Sequence, residues 1–165
     1  MENKYIRFEK LSKWNIITVF SYLLISFFLF PYCLNSKFER KDILFMYGLG
    51  TQLFIYFFQY RALRNFNYFL IWIVIGIIHF FIFIGIKDDP QFALAHGNAT
   101  LGLRNTIISL ALFQFLRFMS LIIQDKEFVV PSKGSSYDLF FERKLTIIDV
   151  ICFIIFMGVT IFLIL

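Results

Sequence analysis

Few residues in this sequence are equipped for chemistry, and the most telling of them lie inside apolar stretches. Arg104 lies just inside one of them, and Arg117 and Asp149 are the charges that fall deeper, with Gln114 beside Arg117. From Thr106 to Gln124 the polar positions Thr106, Ser109, Gln114, Arg117, Ser120 and Gln124 recur at steps averaging about 3.6 residues, which puts them along one helical face. That face is expected to meet other helices or water rather than lipid. Arg117 stands six residues from Ile123, roughly 9 Å from the helix end, and Asp149 stands four residues past Leu145, roughly 6 Å from the start of the next helix. The matching depths predict an Arg117–Asp149 pair with Gln114 as a hydrogen-bonding neighbour. A lone charge near the midplane costs about 2.5–3.5 kcal/mol on insertion scales. Pairing, or snorkelling of the long arginine side chain to the headgroups, relieves that cost. The alternative is a role in moving a substrate, an ion or a proton.

His79 sits in a second apolar stretch, with Gln52 at a similar depth on a neighbouring one. An imidazole titrates near neutral pH and suits a proton relay, while the same pair also serves as an interhelical hydrogen bond. Gly48 and Gly50 near Gln52 would let two helices approach closely. A third set, Asp88, Asp89, His96 and Arg104, gathers around one connection and is a candidate polar mouth. Its spacing matches no metal-binding pattern, and no cofactor or metal is expected. Cys33 and Cys152 fall at different depths, so no disulfide between them is expected and both are read as buried or lipid-facing thiols. No phosphate-binding glycine loop, HExxH or GxSxG motif is present.

The elements that must position these residues follow from composition. The chain is 59% hydrophobic and 16% charged, against about 45–50% and about 25% in soluble domains. A spanning helix needs about 20 mostly apolar residues. Five stretches approach that length, at 15–34, 43–60, 67–86, 103–123 and 145–165. With no water in the bilayer core, backbone polar groups must pair within each segment, so these are helices. The expected fold is all-α, a bundle of five transmembrane helices forming a single membrane domain. The first stretch is followed by Pro31-Tyr32-Cys33, with neither a signal-peptidase site nor a lipobox, and is read as a retained helix. Asp88-Asp89-Pro90 is a helix stop. Residues 124–144 form the longest connection, read as flexible around Ser132-Lys133-Gly134-Ser135-Ser136. Tyr137–Phe141 suits the membrane interface.

Orientation follows from lysine and arginine. The tail before the first helix, the second connection and the fourth connection together hold ten of these residues, and the opposite side holds four. The positive side is cytoplasmic, so the N-terminus is expected inside and the C-terminus outside, in a bacterial inner membrane. The net charge of +5 reflects these flanking clusters, and nucleic acid is not an expected partner. Membrane lipids and other membrane-protein subunits, or further copies of the chain, are. The leading functional expectation is a non-catalytic subunit or assembly factor of a membrane complex. The alternatives are a homo-oligomeric channel, pore or small transporter lined by the fourth helix, and a membrane-embedded enzyme acting on lipid or quinone.

Overall fold

The computed structural model describes residues 6–34, 41–94 and 97–164. Five helices account for most of them: α1 (Lys13–Leu34), α2 (Lys41–Phe58), α3 (Phe66–Ile86), α4 (Leu101–Gln124) and α5 (Ile147–Phe162). Each expected stretch is a helix, with its ends displaced by no more than three residues. The local reasons are visible. Asn65 caps α3 by accepting a hydrogen bond from the Asn67 amide at 3.0 Å. Thr146 and Asp149 form a capping box, so α5 starts at Ile147 rather than Leu145. Asp89 and Pro90 end the run of α3 by opening a short 3-10 turn. Among the described residues no strand forms. Helices α1, α3 and α4 are long and apolar enough to cross a membrane.

The helix ends show how the chain runs. The N-terminal segment lies against the α2–α3 turn, where the Phe66 amide donates to the Arg7 carbonyl at 2.8 Å. That turn also meets the α4–α5 connection, through Arg64 and Glu142 at 2.7 Å. At the opposite end, Asn105 near the start of α4 donates to the Leu163 carbonyl just past α5, at 2.9 Å. Successive helices therefore alternate in direction.

Helix α4 is the axis of the bundle, packed by α2, α3 and α5. Its crossing with α2 is backbone on backbone: a Cβ built on Gly48 would lie 2.7 Å from the Gly102 Cα. No side chain fits there, which is why both positions are glycine. Deeper in the bundle, Tyr56 of α2 stacks on Phe156 of α5 with ring centroids 3.9 Å apart. In α1, by contrast, Ser26 and Cys33 are the buried residues along 22 positions.

The α4–α5 connection departs from expectation. Rather than a flexible stretch, it is a folded plug. Asp125 turns the chain out of α4 in the left-handed region at φ 58°. Phe128, Val129 and Val130 then bury themselves beneath the helix ends. Backbone bridges pair Pro131 with Asp138 and Tyr137 with Lys144, and the Ser132 hydroxyl closes the turn by donating to the Tyr137 carbonyl at 2.9 Å. The apolar Phe-Val-Val run supplies the driving force, since three such side chains left in water would forgo about 1.5–3 kcal/mol each.

Candidate functional site

The polar groups collect in two places, one at the end of the bundle that holds the N-terminal segment and one midway along it. At the end, Arg117 is almost wholly buried, at 2% exposure, and grips Glu127 with two hydrogen bonds of 2.8 and 2.7 Å. Gln114 accepts from the same guanidinium at 3.5 Å and donates to the Leu63 carbonyl at 3.1 Å. Asp149 is fully buried and takes Arg143 at 2.7 Å, along with the Thr146 hydroxyl at 2.7 Å. The expected Arg117–Asp149 pair is thus corrected to two pairs, each completed from the folded connection. They remain neighbours: Arg143 also donates to the backbone carbonyl of Glu127 at 2.8 Å. The depth argument found the right neighbourhood. It had treated 124–144 as solvent-side chain, so it could not supply the true partners.

A second fully buried acid completes this end. Asp138 accepts the Tyr60 hydroxyl at 2.6 Å and the backbone amides of Phe140 and Arg143 at 3.1 and 2.8 Å. Burial works against its charge, but the hydrogen bonds from Tyr60 and the backbone outweigh it and hold the carboxyl below the ordinary aspartate range. Burial, and then donation to that carboxylate, push the Tyr60 phenol well above its usual value. Glu127, Arg143, Asp138 and Tyr60 were not among the site candidates read from the sequence, where Arg143 served only as an orientation signal and headgroup anchor. Glu127, three residues past Gln124, could have been found by treating the connection as structured.

Between the N-terminal segment, the first turn of α1 and the α2–α3 turn lies a cavity of about 710 Å³. Arg7, Lys10, Arg61 and Arg64 line it, with Glu9 and Glu142 as its carboxylates. Arg64 is tied down, gripping both oxygens of Glu142 at 2.7 and 3.1 Å and donating to the Phe128 carbonyl at 2.8 Å.

Midway along the bundle the cluster is neutral. His79 of α3 hydrogen-bonds the Tyr47 hydroxyl at 3.1 Å through Nε2 and the Thr106 hydroxyl at 3.1 Å through Nδ1. Tyr47 also donates to the Tyr22 hydroxyl at 2.7 Å and meets the Ser26 hydroxyl at 2.6 Å. Tyr22 in turn meets Thr51 at 2.9 Å. The expected His79–Gln52 pair is not formed. Gln52 instead bonds the carbonyls of Gly48 and Gly102 at 3.3 and 3.2 Å and accepts from Ser109 at 3.3 Å. The side-chain amide spans the close α2–α4 crossing, while the imidazole serves the α1–α2–α3–α4 junction. Tyr22 with Ser26 and Tyr47 with Thr51 are each four apart, a spacing that marks one helical face.

The polar mouth does not assemble. Asp88 is solvent-exposed with Lys87 4.0 Å away, and Asp89 caps its own turn at the Gln91 amide, 3.0 Å. Arg104 lies over the Phe83 ring at 5.9 Å and donates to the Asn105 side chain at 3.1 Å. The four candidates were grouped by sequence proximity alone, and each of these three acts locally. His96 lies outside the described residues. Among the described residues, no group of three His, Cys, Asp or Glu side chains is placed to hold a metal, and Cys33 and Cys152 are both buried and not joined in a disulfide.

The arrangement can hold helices together and can bind an anion at its basic end. In the middle it offers no charged group to a reacting atom, and the α4 stripe is turned into the bundle. No protein-family model, curated protein or solved structure matches the chain.

Proposed function

We propose that this chain is a five-span protein of a bacterial inner membrane, with its N-terminus in the cytoplasm and its C-terminus outside. We further propose that it serves as a non-catalytic subunit or assembly factor of a membrane complex. The alternation of the five helices supports five crossings, with α2 and the shorter α5 crossing alongside the three long apolar helices. The basic tail, turn and connection all lie at one end, which supports the inside placement of that end.

The observation that carries the subunit reading is the contrast in how the helices are held. The polar stripe of α4 is engaged by its own chain: Thr106 with His79, Ser109 with Gln52, Arg117 with Glu127 and Ser120 with the Lys126 carbonyl. It therefore does not offer the wall of a pathway between copies. Helix α1 instead turns outward a face of Ile17, Phe20, Leu24 and Phe28, spaced three and four apart and exposed to 51, 67, 48 and 66%. A helix so lightly attached to its own bundle is suited to packing against a helix of another protein.

The test is extraction of the tagged chain in a gentle detergent, followed by native mass measurement. A different membrane protein is expected to accompany it in fixed ratio and to be lost in the Phe20→Ala/Phe28→Ala variant. Recovery of the bare monomer, or of a symmetric ring of this chain alone, would overturn the reading.

A further inference from the structure

We propose that the basic cavity at the cytoplasmic end holds the phosphate-bearing headgroup of an anionic phospholipid, with one acyl chain lying along the seam between α1 and α2. Four cations and two carboxylates line the cavity. One carboxylate, Glu142, already has both oxygens occupied by Arg64. The cations that remain have hydrogen-bonding capacity to spare. Arg7 and Arg61 are 44 and 52% exposed and, among the described residues, come no nearer to carboxylates than 3.6 and 3.7 Å, too far for a hydrogen bond. Lys10 is exposed at the same rim. Two guanidinium forks and an ammonium with free donors are the groups that recognise a phosphate diester.

The cavity also takes in the start of α1. Ser12, Trp14 and Asn15 line it, and the Ser12 hydroxyl accepts from the Asn15 amide at 3.1 Å. The first turn of a 22-residue helix adds its positive dipole end to the same space.

What selects a lipid over a soluble anion is the continuation. Thr18 and Phe58 form the inner edge of the cavity. One helical turn further along, Tyr22 and Phe54 open onto a second space of about 230 Å³ between the same two helices. Phe54 and Phe58 stack at 6.0 Å, making a continuous aromatic wall. Gly50 borders this space, and a Cβ there would meet nothing within 4 Å. The seam is open where an acyl chain would run. Trp14, 77% exposed at the mouth, suits the boundary between headgroups and chains.

The proposal uses the five-span reading only to choose the leaflet, so binding can be measured without it and fails separately from the subunit reading, which is tested by co-purification. The full chain is purified in dodecyl maltoside, and lipid adducts are counted by native mass spectrometry with dioleoyl phosphatidylglycerol or dioleoyl phosphatidylcholine added. Phosphatidylglycerol is expected to bind roughly tenfold or more tightly, since basic residues contribute on the order of a kilocalorie each against anionic lipid. Arg7→Gln/Lys10→Gln/Arg61→Gln should abolish that preference, whereas Lys126→Gln/Lys133→Gln/Lys144→Gln, equal in charge change but elsewhere, should leave it intact. Gly50→Leu fills the seam and should weaken both lipids at unchanged charge. Millimolar inorganic phosphate should not displace the lipid. An unchanged preference in the first triple variant, with its melting temperature preserved, would overturn the proposal. So would full displacement by phosphate with no effect of Gly50→Leu, which would mark a free-anion site.

Discussion

The two polar regions of this bundle solve the same problem with opposite chemistry. At the end that holds the N-terminal segment the buried groups are charged, and each charge is answered by a residue of the folded connection: Glu127 for Arg117, Arg143 for Asp149, the turn's own amides for Asp138. Midway, the buried groups are neutral hydroxyls, an imidazole and an amide, all on helices, and several lean on their own helix. Ser26, Thr51 and Thr106 each bond a carbonyl four residues back. The difference teaches where specificity resides. Neutralising one member of a buried charge pair takes away the opposite charge that offsets the burial of the other. A hydroxyl in a helix always has a backbone carbonyl in reach, so its interhelical bond is replaceable.

That contrast predicts unequal fragility. The largest effect is expected from Glu127→Gln, which removes the negative charge facing the deeply buried Arg117 and, with it, the carboxylate lying 3.6 Å from Arg7 and 3.9 Å from Arg64. A loss of about 3 kcal/mol is expected, read as a shift in unfolding by dodecyl sulfate titration. Arg117→Leu should cost distinctly less, because Glu127 keeps two other arginines. Equal losses for the two variants would mean that the end is held by its packing alone.

Next in size is the α2–α4 crossing beneath the neutral cluster. Gly102→Leu places a side chain where the Gly48 backbone already stands and should cost about 1–3 kcal/mol in the same titration. Its effect should exceed that of any single hydroxyl in the cluster, because the backbone approach brings Gln52 within reach of the Gly102 carbonyl.

The acid limb of stability sharpens the charged side of the comparison. Asp138 is held below the ordinary carboxylate range when folded, so the unfolded chain takes up its proton more readily. Its contribution is complete above the unfolded value, about pH 4, and is lost as pH falls through the folded value. Asp138→Asn should destabilise by about 1.5 kcal/mol at neutral pH and should flatten the thermal-unfolding profile below pH 4. A variant with the acid limb of the native chain would assign that limb to other carboxylates.

How much of this was legible in the sequence follows the same division. Helix positions were readable because apolar length and periodicity act locally, and the α4 stripe, expected to meet other helices or water, turns out to meet its own chain. Depth counting placed Arg117 and Asp149 near each other for the same reason. The partners were not readable, because they come from a connection whose fold is set by tertiary burial of Phe128, Val129 and Val130. Its Lys133-Gly134-Ser135-Ser136 composition suggested flexibility, while a single buried acid, Asp138, organises the turn. His79 shows the milder failure. Depth alone cannot choose among hydroxyls on three neighbouring helices, and the i, i+4 pairs Tyr22–Ser26 and Tyr47–Thr51 were the overlooked signal.

The smallest expected effect tests the neutral side most directly. The Tyr47 hydroxyl touches Ser26, Tyr22 and His79, as many partners as the Tyr22 hydroxyl has, and simple addition would make it indispensable. The replaceability argument says otherwise. In Tyr47→Phe the ring keeps its place against Phe30, 5.4 Å away. Ser26 retains its bond to the Tyr22 carbonyl at 2.7 Å, Tyr22 keeps Thr51, and His79 keeps Thr106. The imidazole Nε2 still has Tyr22 within 3.4 Å. Interhelical hydrogen bonds in membrane proteins average about 0.6 kcal/mol, and the loss in unfolding free energy should stay near that figure. A loss matching that of Glu127→Gln would show that the hydroxyls act as one network, and the distinction between replaceable and irreplaceable polar contacts in this bundle would fall.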